Sequence, residues 1–165
     1  MKRSKGFLLL VTMASYGAFA GETSTPDCRP VHAMLVESRT LENCSTSFCL
    51  AGTIEGNRGL NGTTHLELDG SGAAPATAPG WNIGTGLQTI TTARGTLTLR
   101  EVAVFKFFGT PATAVEAVAY EIISADGRFE GATGALYAAS TGAGGVFTHN
   151  ITGTLCLNRH HVGQE

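Results

Sequence analysis

The chain of 165 residues sets 11 lysines and arginines against 13 aspartates and glutamates, a formal charge of −2. Lys2, Arg3 and Lys5 stand together at the start; without them 8 basic residues face 13 acids, about −5, and Lys106 is the only lysine. Binding to phosphates needs clustered Lys and Arg, so neither nucleic acid nor an anionic membrane surface is an expected partner.

Residues 1–20 read as a signal peptide: a basic start, an apolar stretch over 7–13, and Ala18-Phe19-Ala20 as a small-x-small cleavage site. The apolar stretch is shorter than the roughly 20 residues that span a bilayer. Cleavage would leave 145 residues beginning at Gly21, enough for one domain in a secreted or periplasmic protein. Within it, 21–47 is expected to be an N-terminal strand with a disulfide-tethered segment, 48–157 the folded core (joined by a strand at 31–38), and 158–165 a flexible tail.

Helical periodicity is nearly absent, and β-branched residues alternate with polar ones between turn signals. In chain order the expected strands are 31–38, 48–55, 63–68, 86–92, 96–107, 115–124, 135–140 and 146–157. Eight antiparallel strands in one all-β domain predict a closed barrel, with a sandwich as the alternative. Ala93-Arg94-Gly95 and Asp126-Gly127 read as tight hairpin turns. The stretches 70–80, 109–114 and 141–145 are small-residue or proline-rich and read as longer links.

Alternation assigns faces. In 146–157, Phe147, His149, Ile151, Leu155 and Leu157 share one side, and Cys156 points away from it. Leu50 and Ile54 share a face, which turns Cys49 outward too. Four cysteines in an exported chain favour disulfides over metal ligation, and three connectivities are open. If the strand carrying Cys49 closes the barrel against the last strand, the pairing is Cys49 with Cys156 and Cys28 with Cys44. No zinc spacing, no cofactor motif and no nucleophile elbow is present, so neither metal nor cofactor is expected.

The stretch 125–134 is dense in glycine but runs back into β chemistry with no Gly-Lys-Ser, which argues for a bent sheet over a phosphate loop. Gly127 would supply a positive φ, Phe129 would tuck a ring beneath the turn, and Gly131 and Gly134 would permit a kink. The pattern Gly127, Phe129, Gly131, Ala132, Gly134, with Gly52-Thr53-Ile54, the hairpin 90–97 and the strand 151–156, resembles the allene oxide cyclase and dirigent-like barrel family. The resemblance covers about 48–157 and departs from the family in Ser124-Ala125-Asp126 and in the four cysteines. It implies an eight-stranded antiparallel barrel with a central apolar pocket. Plant members hold an epoxide for cyclisation or steer radical coupling, but none of their pocket residues maps onto a local motif here.

Within 96–107, Leu97, Leu99, Glu101, Ala103, Phe105 and Phe107 share the core face. Glu101 therefore either enters the barrel as a perturbed carboxyl or is turned to solvent by a bulge near Arg100. His149 is the histidine that faces inward, and Glu101 with His149 forms the candidate acid–base pair. Phe105, Tyr120, Tyr137 and Phe147 are the expected pocket lining; Trp81 would cap a mouth or stack on a sugar. His160 and His161 lie in the tail without further ligands. Three readings compete: a barrel binding a small apolar or aromatic molecule, an isomerase or cyclase in the same cavity, and a packed structural barrel acting through its surface or as a homo-oligomer. An interior pocket of about 300 Å³ or more would favour the first two.

Overall fold

The structure, a computed structural model, describes residues 26–109 and 113–158. The expected signal segment and His160 and His161 lie outside the described residues. Eight strands, β1 (Asp27–Thr40), β2 (Cys49–Gly56), β3 (Gly62–Ala73), β4 (Asn82–Thr92), β5 (Gly95–Phe108), β6 (Thr113–Ala125), β7 (Thr133–Ala143) and β8 (Val146–Leu157), pair antiparallel in sequence order. β8 returns to β1 and closes the barrel. All eight expected strands are present, most of them longer than the hydrophobic pattern alone marks. No helix among the described residues is long and apolar enough to cross a membrane.

Period-two alternation explains which side chains fill the interior. Along β5, Leu97, Leu99, Glu101 and Ala103 are buried, while Val102 and Val104 are exposed. β1 does the same with Val31, Ala33, Leu35 and Glu37. A barrel of this size is just wide enough for such side chains, and the interior falls into zones. At one end Val31, Ile54, Ile90, Leu97 and Leu155 form an apolar plug. A polar belt of Glu37, Thr64, Gln88, Glu101, Ser140 and His149 follows, all buried.

The plugged end is built by the connection 126–132, which differs from the two-residue turn expected at Asp126-Gly127. It contains a short 3₁₀ turn, Gly127–Phe129. The turn places the Phe129 ring fully inside the barrel end, beside the equally buried Leu60. Its hydrogen bonds explain why. The Arg128 amide donates to the Arg94 carbonyl at 2.8 Å, and Asp126 Oδ1 accepts from the Thr96 amide at 2.7 Å, tying the connection to the β4–β5 hairpin. Gly127 has φ 57°, and a Cβ there would lie 2.5 Å from the Arg94 carbonyl oxygen. Gly134 lies so close to β8 that a Cβ would stand 2.1 Å from the Thr154 carbonyl oxygen. The glycine-rich stretch is therefore a sheet closure, as its β context predicts.

Three further expectations change. The link read at 141–145 shrinks to Gly144-Gly145, because β7 runs on to Ala143. β3 likewise runs on to Ala73, which shortens the proline-rich link to 74–81. The disulfides are Cys28–Cys156 and Cys44–Cys49, not Cys49–Cys156 and Cys28–Cys44. The barrel does close against its last strand, but the closing strand is β1, whose register sets Cys28 directly opposite Cys156 with Cα atoms 3.8 Å apart. β2, which carries Cys49, lies one strand away from the seam. Cys49 faces outward but is fully buried, closing the five-residue link to Cys44 in the β1–β2 loop. Two disulfides fit an oxidising compartment.

Candidate functional site

At the end opposite Phe129 the barrel opens on a cavity of about 230 Å³. Its walls are apolar and aromatic: Phe48, Phe105, Phe107 and Phe147, with Leu50, Leu66 and Leu68. Phe105 and Phe107 meet edge to face with centroids 5.5 Å apart, and Phe107 is 53 % exposed at the rim. Glu101, Glu116 and His149 also line it.

Register brings these polar groups together. His149 on β8 pairs with Ser140 on β7, Ser140 with Glu116 on β6, and Glu116 with Phe105 on β5, one continuous row across four strands. Glu101 pairs with Tyr120. A register shift does lie close to Arg100, but its extra residue is on β6 and not on β5. The β5–β6 register shifts at Thr98/Leu99, skipping Ile123 on β6, and leaves the β5 alternation intact. Glu101 accordingly faces inward and is 3 % exposed.

Behind His149 sits Glu37, whose Oε1 accepts from Thr64 Oγ1 at 2.7 Å and from Gln88 Nε2 at 2.9 Å. Its Oε2 has no partner and lies 3.8 Å from His149 Nε2, which is also unpartnered. His149 Nδ1 shares a hydrogen bond with Ser140 Oγ at 2.6 Å and stands 3.9 Å from Glu116 Oε2. Gln88 Oε1 and the Tyr120 hydroxyl are buried and unpartnered as well. So many unmet polar groups in one interior are unusual, since buried polar atoms are nearly always bonded.

Burial and mutual repulsion set the protonation states. Glu101 is pushed up to about 8, by burial first and then by the Glu116 and Glu37 carboxyls. Glu116 is pushed up to about 7 by burial and by Glu37. Burial also raises Glu37, with the Thr64 and Gln88 hydrogen bonds and the His65 charge opposing it. Burial pushes His149 down to about 4. It is therefore neutral at pH 7, and its approaches to Glu37 and Glu116 are contacts of an uncharged imidazole rather than ion pairs. The Tyr120 hydroxyl is held above its usual range by burial and then by Glu101, Glu37 and Glu116.

No family model matches this chain, and no curated protein and no solved structure matches it. Of the residues expected from sequence, Glu101, His149, Phe105 and Phe147 line one cavity. Tyr120 is buried in the interior but does not line the cavity. Tyr137 is a correction: Leu136, Ala138 and Ser140 take the inward positions of β7, which turns Tyr137 outward at 55 % exposure. The histidine's near carboxyls are Glu37 and Glu116 rather than Glu101. Both were within reach of alternation, because Glu37 shares a face with Val31, Ala33 and Leu35, and Glu116 with Val118 and Tyr120. Trp81 is partly buried, with the Lys106 ammonium 6.0 Å from its ring centroid.

Two other groupings are inert. Cys49, His65 and Glu67 cluster at metal-ligand spacing, but the Cys49 sulfur is committed to a disulfide. Ser140, His149 and Glu37 form a chain that superficially suits a hydrolase, yet Ser140 does not line the cavity.

Proposed function

We propose that this is an exported barrel protein that takes a compact, largely apolar or aromatic molecule into the open end of its interior. The observation that carries the reading is the cavity itself: four phenylalanines around a pocket that Glu101, Glu116 and His149 also line, the histidine with its Nε2 buried and unpartnered. Small-molecule sites combine apolar walls with a few convergent polar groups in this way. At about 230 Å³ the pocket falls short of the roughly 300 Å³ set above as favouring binding or catalysis, yet the interior is not filled, so this reading calls for a small occupant. The two disulfides support export, and the likeness to allene oxide cyclase and dirigent barrels belongs to the same reading. Native mass spectrometry of the protein purified without denaturant tests it. The expected result is a co-purifying small molecule lost in a Phe105→Trp, Phe147→Trp variant that fills the pocket; an unliganded protein that also fails to bind small aromatic probes would overturn it.

A second reading has its own support. Glu101 and Glu116 carry pKa values of about 8 and about 7, the range in which a carboxyl can give and take a proton near neutrality. An isomerase or cyclase would use them on a ligand held against the phenylalanines. Turnover of the co-purified molecule that vanishes in Glu101→Gln while binding persists would favour this reading.

A further inference from the structure

The polar wall has a chemical bias. Three carboxyls project inward, Glu37 from β1, Glu101 from β5 and Glu116 from β6, joined by the Tyr120 hydroxyl from β6 and His149 from β8. The other strands contribute no ionisable side chain to the interior; their buried residues include Leu50 and Ile54 (β2), Thr64 and Leu66 (β3), Gln88 and Ile90 (β4), and Leu136, Ala138 and Ser140 (β7). Among the described residues no lysine or arginine forms an ion pair with any of the three carboxyls; the arginine–carboxylate pairs join Arg29 and Arg58 to Asp27 and Arg100 to Asp69 instead. Like charges that share a dry interior are costly unless a cation joins them.

Unmet polar atoms lie at and behind the cavity, the Tyr120 hydroxyl among them. Glu37 Oε2 and Gln88 Oε1 are acceptors without donors, and both side chains are fully buried. His149 lines the cavity with only 3 % of its side chain exposed, and its Nε2 is unpartnered. Once Glu101 or Glu116 gives up its proton the carboxyl only accepts, and an ammonium brings three donors to it. The phenylalanines at the entrance add ring faces, which attract cations and stack on aromatic bodies.

We infer that the cavity is a site for a small organic amine, its ammonium seated among Glu101, Glu116 and His149 and its apolar body held by Phe48, Phe105, Phe107 and Phe147. The inference rests on the small-molecule reading above and names the class of ligand. Seating the cation ionises a carboxyl that is protonated in the empty site, so binding at mildly acidic pH releases a proton to solvent.

Isothermal titration calorimetry of the full protein tests this with three probes of one size: phenethylamine, phenethyl alcohol and phenylacetate. At pH about 6.5 the amine is expected to bind at least about tenfold more tightly than the alcohol, and phenylacetate not at all. Repeating the titration in two buffers of different ionisation heat should show about one proton released per amine bound. Glu101→Gln and Glu116→Gln, each isosteric, should each cost the amine at least about tenfold while leaving the alcohol unchanged. The same change at exposed Glu121 should leave the amine's affinity unchanged. Equal affinity for amine and alcohol would overturn the amine assignment and leave a plain apolar pocket; binding of none of the three would bring down the pocket reading itself.

Discussion

Replacing Glu101 by Gln should stabilise the protein at alkaline pH, because it removes a carboxyl that the fold holds in an unfavourable place. Glu101 rises from 4.5 in the unfolded chain to about 8 when folded, and Glu116 from 4.5 to about 7. In both cases the folded chain keeps a proton that the unfolded chain has lost. The stability this provides is complete below about 4.5 and disappears as pH climbs through about 7 and about 8. His149 acts in the opposite sense, since its value falls from 6.5 to about 4, but that contribution is finished by about pH 6.5. Above that point the carboxyls act alone. At about 1.4 kcal/mol per pH unit, Glu101 loses about 2 kcal/mol between pH 6.5 and 8, and Glu116 about 1 kcal/mol more. Urea unfolding followed by Trp81, the single tryptophan, reads this directly. With an m value of about 1.5 kcal/mol/M, the wild-type midpoint should fall by about 2 M between pH 6.5 and 8.5, and by about 1 M or less in Glu101→Gln. A wild-type midpoint that is flat or rises across this interval, or a variant that keeps the full drop, would refute the reasoning.

Other expectations concern the frame. Removing Cys28–Cys156, which spans 128 residues, should cost about 5 kcal/mol on the chain-entropy relation, whereas removing Cys44–Cys49, which spans 5, should cost about 2; paired Cys→Ala variants in thermal melts would show the order, and equal losses would contradict it. Phe129→Ala empties the plug and should cost about 3–5 kcal/mol in denaturant titration, a loss below about 1 kcal/mol being inconsistent with a fully buried ring. Tyr137→Ala, on the outer surface, should change stability by about 0.5 kcal/mol or less and leave phenethyl alcohol binding untouched; a large loss of either would return Tyr137 to the interior.

Much of this architecture is written locally. Alternation along each strand marks the inward residues; it places His149 inside, and Glu101 inside unless a bulge intervenes. The glycines at 127 and 134 announce a place where a side chain cannot stand, and the β context after Gly134 distinguishes a closure from a phosphate loop. Strand count and turn spacing then narrow the fold to a closed barrel or a sandwich, because eight such strands leave few other ways to bury one face each, and the β1–β8 pairing decides for the barrel.

What remained hidden depended on which strand stands beside which. Disulfide pairing is a statement about neighbours, and it turned on β1, not β2, being the strand that meets β8. Tyr137 and Leu136 are adjacent in sequence, and only the register of β7 against its neighbours decided which of them looks inward. The convergence of Glu37, Glu101, Glu116 and His149 likewise came from four strands distant in sequence. A period of two tells each strand which side is in; it carries no information on height around the barrel, and height is what brings two carboxyls and an imidazole to one cavity with a third carboxyl behind them.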